Sequence, residues 1–142
     1  MNIQGCLDKR HLIRIKPDKG LIMKEITEAE YDLNSAKNAM KSRDYKWAIV
    51  KGYYSMFHAA RAVLFSLGYR ERRHYAVQVV LEQLGKEGKL ESVHLDYYSA
   101  SMEARENADY RYSYSEATAG DIIGYAEKFL ERMKELAKQC RL

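Results

Sequence analysis

Apolar positions recur at helical spacing along most of this chain, and the densest run lies between Asp44 and Leu67, DYKWAIVKGYYSMFHAARAVLFSL. Tyr45, Ile49, Gly52, Met56, Ala59, Val63 and Leu67 succeed one another at spacings of four and three, and Tyr53, Phe57, Ala60 and Leu64 form a second stripe beside them. Two adjacent stripes predict a central helix buried around most of its circumference, with Lys51, Tyr54, Ser55, His58 and Arg61 as its remaining polar strip. Gly52 inside that helix costs about 1 kcal/mol relative to alanine. The expected return is close approach of another backbone, helped by Ala59, Ala60 and Ala62.

The flanking segments read the same way. Ile22, Ile26, Ala29, Leu33, Ala36 and Met40 lay one apolar seam along an otherwise charged helix, started by Pro17 and the capping Asp18 and ending near Ser42 or Arg43. Asp44 caps the central helix and Gly68 stands where a C-terminal glycine ends one. A short helix from His74 to Leu84 rests on Ala76, Val79, Val80 and Leu84, and the GKEGK turn at Gly85 to Lys89 closes it. A fourth helix, Leu90 to Asp109, turns Leu90, Val93, Tyr97, Ala100, Ala104 and Ala108 inward. Those small residues suit either contact with the central helix or a dimer interface. Tyr110, Tyr112 and Tyr114 alternate and break the pattern. The last helix starts between Glu116 and Ala119 and buries Ile122, Ala126, Phe129, Met133, Leu136 and Cys140. The pattern predicts an all-α, up-and-down bundle of four long helices and one short one. Residues 1–18 are basic and weakly periodic, which predicts a mobile or loosely docked arm.

Composition narrows the class. At 142 residues, with one proline and no low-complexity linker, residues 1–142 are expected to form a single domain with its own core. No apolar run approaches the roughly 18 residues of a membrane span, and no signal peptide is visible, so a cytoplasmic location is expected. Cys6 and Cys140 lack metal-ligand spacing and are expected to be reduced, although a bridge between them stays open. The net charge of +4 permits an acidic partner such as RNA. The densest basic cluster, YRERRH at Tyr69 to His74, is read as a solvated helix-helix corner in preference to a phosphate site.

The run YYSMFHAARAVLFSLG at Tyr53 to Gly68 closely resembles the second-helix signature of the HEPN-domain family (higher eukaryote and prokaryote nucleotide-binding). The RIKPDKGLI lead-in at Arg14 to Ile22, the AEYDLNSAKNAM helix and the RENADY run at Arg105 to Tyr110 extend the resemblance along nearly the whole chain. It implies an all-α bundle that dimerises, is often paired with a minimal nucleotidyltransferase in toxin-antitoxin-like systems, and is in some members a metal-independent ribonuclease. It implies no cofactor.

The ribonuclease motif of that family is an arginine followed after four to six residues by a histidine. The arginine stabilises the phosphorane and the histidine moves the proton. Here the matching position is Arg105, but Tyr110 stands where the histidine would. A phenol with a reference pKa near 10 is a poor base at neutral pH, which favours a non-catalytic module over a ribonuclease using Arg105 and Tyr110. Tyr112 matches the tyrosine that some members offer for nucleotide attachment, although a packed or interface tyrosine accounts for the same letter. The candidate nucleotide or RNA site therefore comprises Arg105, Asp109, Tyr112, His58 and Arg61, with His58 expected to reach Arg105 or Tyr112, or else to be a satisfied core histidine. The alternative for Arg105 and Asp109 is a simple i, i+4 ion pair. The two Glu-x-x-His runs, Glu71 to His74 and Glu91 to His94, lie at helix corners, and no metal site is expected from them.

Overall fold

In a computed structural model the protein is described for residues 1–139. Six helices and two short strands follow in order: α1 (Ile3–Asp8), β1 (Leu12–Arg14), α2 (Lys19–Lys41), α3 (Tyr45–Ser66), β2 (Tyr69–Glu71), α4 (Tyr75–Lys86), α5 (Ser92–Tyr110) and α6 (Glu116–Gln139). The architecture is an all-α bundle in which α2, α5 and α6 surround α3. The helix boundaries are chemical: Asp18 accepts a hydrogen bond from the Leu21 amide at 3.1 Å, and Asp44 accepts one from the Trp47 amide at 3.4 Å. Ser115 serves α6 in the same way through Thr118.

Long-range contacts fix the directions. Ser55 donates to the Ala29 carbonyl while His58 meets Glu25, so α2 and α3 run antiparallel. Lys134 reaches Glu30 and Lys37 reaches Glu127, which sets α6 antiparallel to α2. His94 packs on Phe129 while Tyr97 stacks on Tyr125, so α5 and α6 are antiparallel too. The core is the two predicted stripes of α3 met by Ile22 to Ala39, Ile122 to Ala137 and Tyr98. A Cβ on Gly52 would lie 2.9 Å from Ile122 Cγ2 and 4.0 Å from the Ile122 carbonyl carbon, so α6 does approach this glycine, but with a side chain closest where backbone was expected.

Three expectations need correction. Residues 1–18 are not a loose arm: Asn2 caps α1, Cys6 and Leu12 are fully buried, and β1 pairs antiparallel with β2 in the register Leu12 to Glu71, Ile13 to Arg70 and Arg14 to Tyr69. The corner at Tyr69 to His74 is accordingly half strand, opened by Gly68 at φ +86°, where a Cβ would crowd the Ile15 carbonyl at 3.2 Å. The inward face of α5 is also rotated from expectation in its first half. Leu90, Ala104 and Ala108 are buried as expected, but Tyr98 and Ser101 are buried where Tyr97 and Ala100 were expected and Val93 is exposed, because Tyr98 fits between α3 and α6. Cys140, and with it any bridge to Cys6, lies outside the described residues. Among the described residues no helix is long and apolar enough to cross a membrane.

Candidate functional site

The polar strip of α3 is divided between two settings. Ser55 is fully buried and spends its hydroxyl on α2. His58 and Arg61 share a carboxylate: His58 Nδ1 lies 2.6 Å from Glu25 Oε2, and Arg61 Nη1 lies 2.7 Å from Glu25 Oε1. Asp32 approaches His58 Nε2 at 3.6 Å, and Arg61 Nε donates to Glu71 Oε1 at 3.1 Å. The guanidinium of Arg61 also lies against the rings of Phe57 and Phe65. The hydrogen bond to Glu25 holds the His58 pKa above its ordinary value against the opposing effect of burial. Burial raises Asp32 in turn. This is a desolvated charge network that ties α2, α3 and β2 together.

Glu28, Asp32 and His58 bring ligand atoms within 4.8 Å of one another. Glu25 raises the affinity of His58 for a proton, and protonation competes with any metal there. The two Glu-x-x-His runs spend their carboxylates elsewhere, Glu71 on Arg61 and Glu91 on Arg132.

Arg105 occupies the second setting. Its Nε lies 2.9 Å from Asp109 Oδ2, an ion-pair contact that leaves the N–H unaimed, so that this buried Nε–H makes no hydrogen bond. Nη2 reaches the Tyr54 hydroxyl at 3.4 Å, and the guanidinium carbon lies 5.6 to 5.8 Å from the ring centroids of Tyr53, Tyr54 and Tyr110. Burial opposes its charge, yet Tyr54, Asp109, Tyr110 and Tyr53 outweigh that and raise its pKa. The i, i+4 pair foreseen with Asp109 is present, inside a cage of three phenols that was not foreseen.

Beyond the cage the chain turns outward. Arg111 donates to the Asn107 side chain at 2.6 Å, the Ser113 amide bonds the Asn107 carbonyl, and Tyr112 takes a left-handed backbone at φ +52°. Tyr110, Tyr112 and Tyr114 are 70%, 78% and 47% exposed, so none belongs to the core, although Tyr110 lies against Arg105. Among the described residues no hydrogen bond or ion pair joins His58 or Arg61 to Arg105 or Tyr112. His58 is turned to α2, and the expectation that it meets the Arg105 corner is corrected. Tyr53, Tyr54, Glu25 and Glu71 were not assigned to the site, although Tyr54 stands on the polar strip of α3 one helical turn before His58.

Comparison with known proteins follows the same lines. The family model described as HEPN domain matches residues 23–136. A Methanocaldococcus jannaschii protein named "Putative toxin MJ0605" is 30% identical over 134 residues, spanning 85% of this chain and 98% of its own. A second protein of that organism, "Putative toxin MJ0142", is 28% identical over 88 residues, covering 61% of this chain and 60% of its own. An Archaeoglobus fulgidus protein named "UPF0332 protein" is 27% identical over 118 residues, covering 82% and 94%. With the family signature carried by α3 and the family model spanning α2 to α6, the chain belongs to the HEPN family.

Proposed function

We propose that this chain is the HEPN half of a toxin-antitoxin-like pair, a dimeric interaction and nucleotide-binding module whose partner is a nucleotidyltransferase, and that the Arg105–Tyr112 corner handles the nucleotide. The toxin names of two relatives and the family membership support the pairing. The observation that carries the site is Tyr112. A bulky aromatic side chain holds a left-handed position that glycine or asparagine fills at lower cost, and its ring is 78% exposed. The conformation alone costs about 1–2 kcal/mol. The left-handed turn lets the Ser113 amide reach the Asn107 carbonyl and so close the end of α5, whereas the exposure of the side chain brings the bundle nothing, and its return is functional.

An exposed phenol at the end of α5 can enter a partner's active site. There its oxygen would attack the α-phosphorus of a nucleoside triphosphate, the bond to pyrophosphate would break, and the phenolic proton would pass to a base of the partner. Arg105, set among three rings, supplies a cation for the phosphates. The ribonuclease reading rests on the Arg105–Tyr110 contact, with a phenol where the family motif has a histidine.

The test titrates wild type, Arg105→Ala and Tyr112→Phe with ATP and with labelled RNA, then measures intact mass after incubation with ATP and a minimal nucleotidyltransferase. Weakened ATP binding by Arg105→Ala and a nucleotidyl adduct absent from Tyr112→Phe are expected. Equal binding by both proteins, or by neither, together with no adduct, refutes the site. Cleavage of the RNA by wild type but not by Arg105→Ala moves the conclusion to the ribonuclease.

A further inference from the structure

The pairing of β1 with β2 does more than close the fold. It brings together two basic segments about sixty positions apart, five cations between Lys9 and Lys19 and three between Arg70 and Arg73. All eight are exposed, and among the described residues none makes an ion pair. The same segments, from Asp8 to Lys19 and Tyr69 to His74, hold three carboxylates. Asp8 accepts from Gln4, Asp18 caps α2, and Glu71 points inward to Arg61. Eight cations against three acids exceed the net charge of +4 of the whole chain, so the remainder carries one more acid than base. The excess positive charge of this protein is therefore carried by the two strands and the segments that flank them.

The geometry points to this sheet as a docking surface for the phosphodiester backbone of a nucleic acid, a site separate from the Arg105 corner and independent of the function proposed for it. The separation is large. From Tyr54, beside Arg105, to Ser66, beside β2, α3 rises about 18 Å. Five of the eight cations are arginines, whose planar fork pairs two-to-two with phosphate oxygens. Arg14 lies over the ring of Tyr69 and Arg70 over that of Phe65, which holds two of the forks in place. A membrane surface is the weaker fit, because interfacial binding needs an exposed apolar face beside the cations, and in these strands Leu12 is buried while Ile13 and Tyr69 are half-buried. Ribose and deoxyribose strands share the phosphate chemistry, and the experiment separates them.

Fluorescence anisotropy of labelled single-stranded RNA and of single-stranded DNA of the same length and sequence, over a salt series, tests the proposal. Wild type is compared with Arg72→Gln/Arg73→Gln, with Arg10→Gly, and with the control Lys41→Gln/Lys86→Gln, which removes two exposed cations elsewhere. The Arg72/Arg73 pair should lose about tenfold in affinity at low salt and flatten the log–log salt slope by about 0.7 for each phosphate contact removed, while the control should match wild type. Arg10 occupies a left-handed position at φ +58°, so Arg10→Gly should raise the melting temperature yet weaken binding, a divergence that a purely structural role does not produce. Patch-dependent binding of either strand supports the proposal and says which sugar is preferred. It is overturned if wild type binds neither strand, if the control loses as much as the Arg72/Arg73 pair, or if phosphatidylserine vesicles bind in a patch-dependent way and nucleic acid does not. It is also overturned if Arg105→Ala abolishes binding while the Arg72/Arg73 pair leaves it intact, a result that keeps the function proposed above.

Discussion

His58 ties α2 to α3 through a proton, and that makes its contribution to stability depend on pH in a direction the geometry dictates. The Nδ1 to Glu25 distance is 2.6 Å, and the two side chains are only 21% and 12% exposed, so solvent screens the pair weakly. A charge-assisted hydrogen bond of this kind contributes about 1.5–3 kcal/mol. Replacing His58 by glutamine removes it without orphaning Glu25, which Arg61 still holds at 2.7 Å, so a loss of about 2 kcal/mol is expected at pH 6. For a chain of this size that corresponds to roughly 4–8 °C in melting temperature.

The folded pKa lies above the unfolded value of about 6.5. The stabilisation is thus fully present below the unfolded pKa and is lost as pH rises through the folded one. The groups facing the imidazole are Glu25, Glu28 and Asp32 from α2 and Arg61 from its own helix. His94 works in the opposite sense, since burial lowers its pKa and the folded state resists its protonation. The readout is therefore the difference between wild type and His58→Gln, in which His94 cancels, measured by thermal unfolding at pH 6 and pH 9. The deficit of the variant should shrink toward that of a neutral hydrogen bond, about 0.5–1.5 kcal/mol, at pH 9. An equal deficit at both values, or a larger one at pH 9, refutes the reasoning.

Three further outcomes are expected. Gly52→Ala improves helix propensity by about 1 kcal/mol but drives a methyl against Ile122 Cγ2, and overpacking of that kind costs about 1–3 kcal/mol, so urea unfolding should show no gain and a net loss. Arg105→Ala removes a guanidinium from three rings and from Asp109, and should lower stability by about 1–2 kcal/mol, more than a solvated i, i+4 pair would; a shift of only a few tenths would mean the cage adds nothing. The exposed tyrosines at 110, 112 and 114 are costly to leave in water side by side, so sedimentation at micromolar concentration should give the mass of two chains, and a mass of one chain would refute the dimer.

The parts of the fold legible in the sequence are those with a repeating physical cause. Ile22 to Ala36 and Ile122 to Leu136 sit at the spacings that a helix face imposes, and Asp18, Asp44 and Gly68 mark ends that only their chemistry suits. The strands were not legible, because three residues are too few to display a period and their partners are distant in the chain. The rotation of α5 went unseen for a different reason: Tyr97 and Tyr98 are equivalent letters, the residues at 100, 101 and 104 are all small, and which tyrosine turns inward depends on the shape of the slot between α3 and α6. At the site, the sequence marks Arg105, Asp109, His58 and Arg61 as polar residues worth weighing. Their partners Glu25 and Glu71 look like any solvent-facing carboxylates until the bundle turns them inward.

The β1–β2 pairing also sets the order in which the molecule can be completed. The first strand to be synthesised must wait for a partner about sixty positions downstream, and closing such a loop costs on the order of 3–4 kcal/mol in chain entropy before any strand contact repays it. That entropy cost is removed once α2 and α3 have folded back on each other and carried Leu12 and Glu71 into reach. Docking of β1 is therefore expected to follow formation of the α2–α3 hairpin, so that the strand pair closes over the helices like a latch.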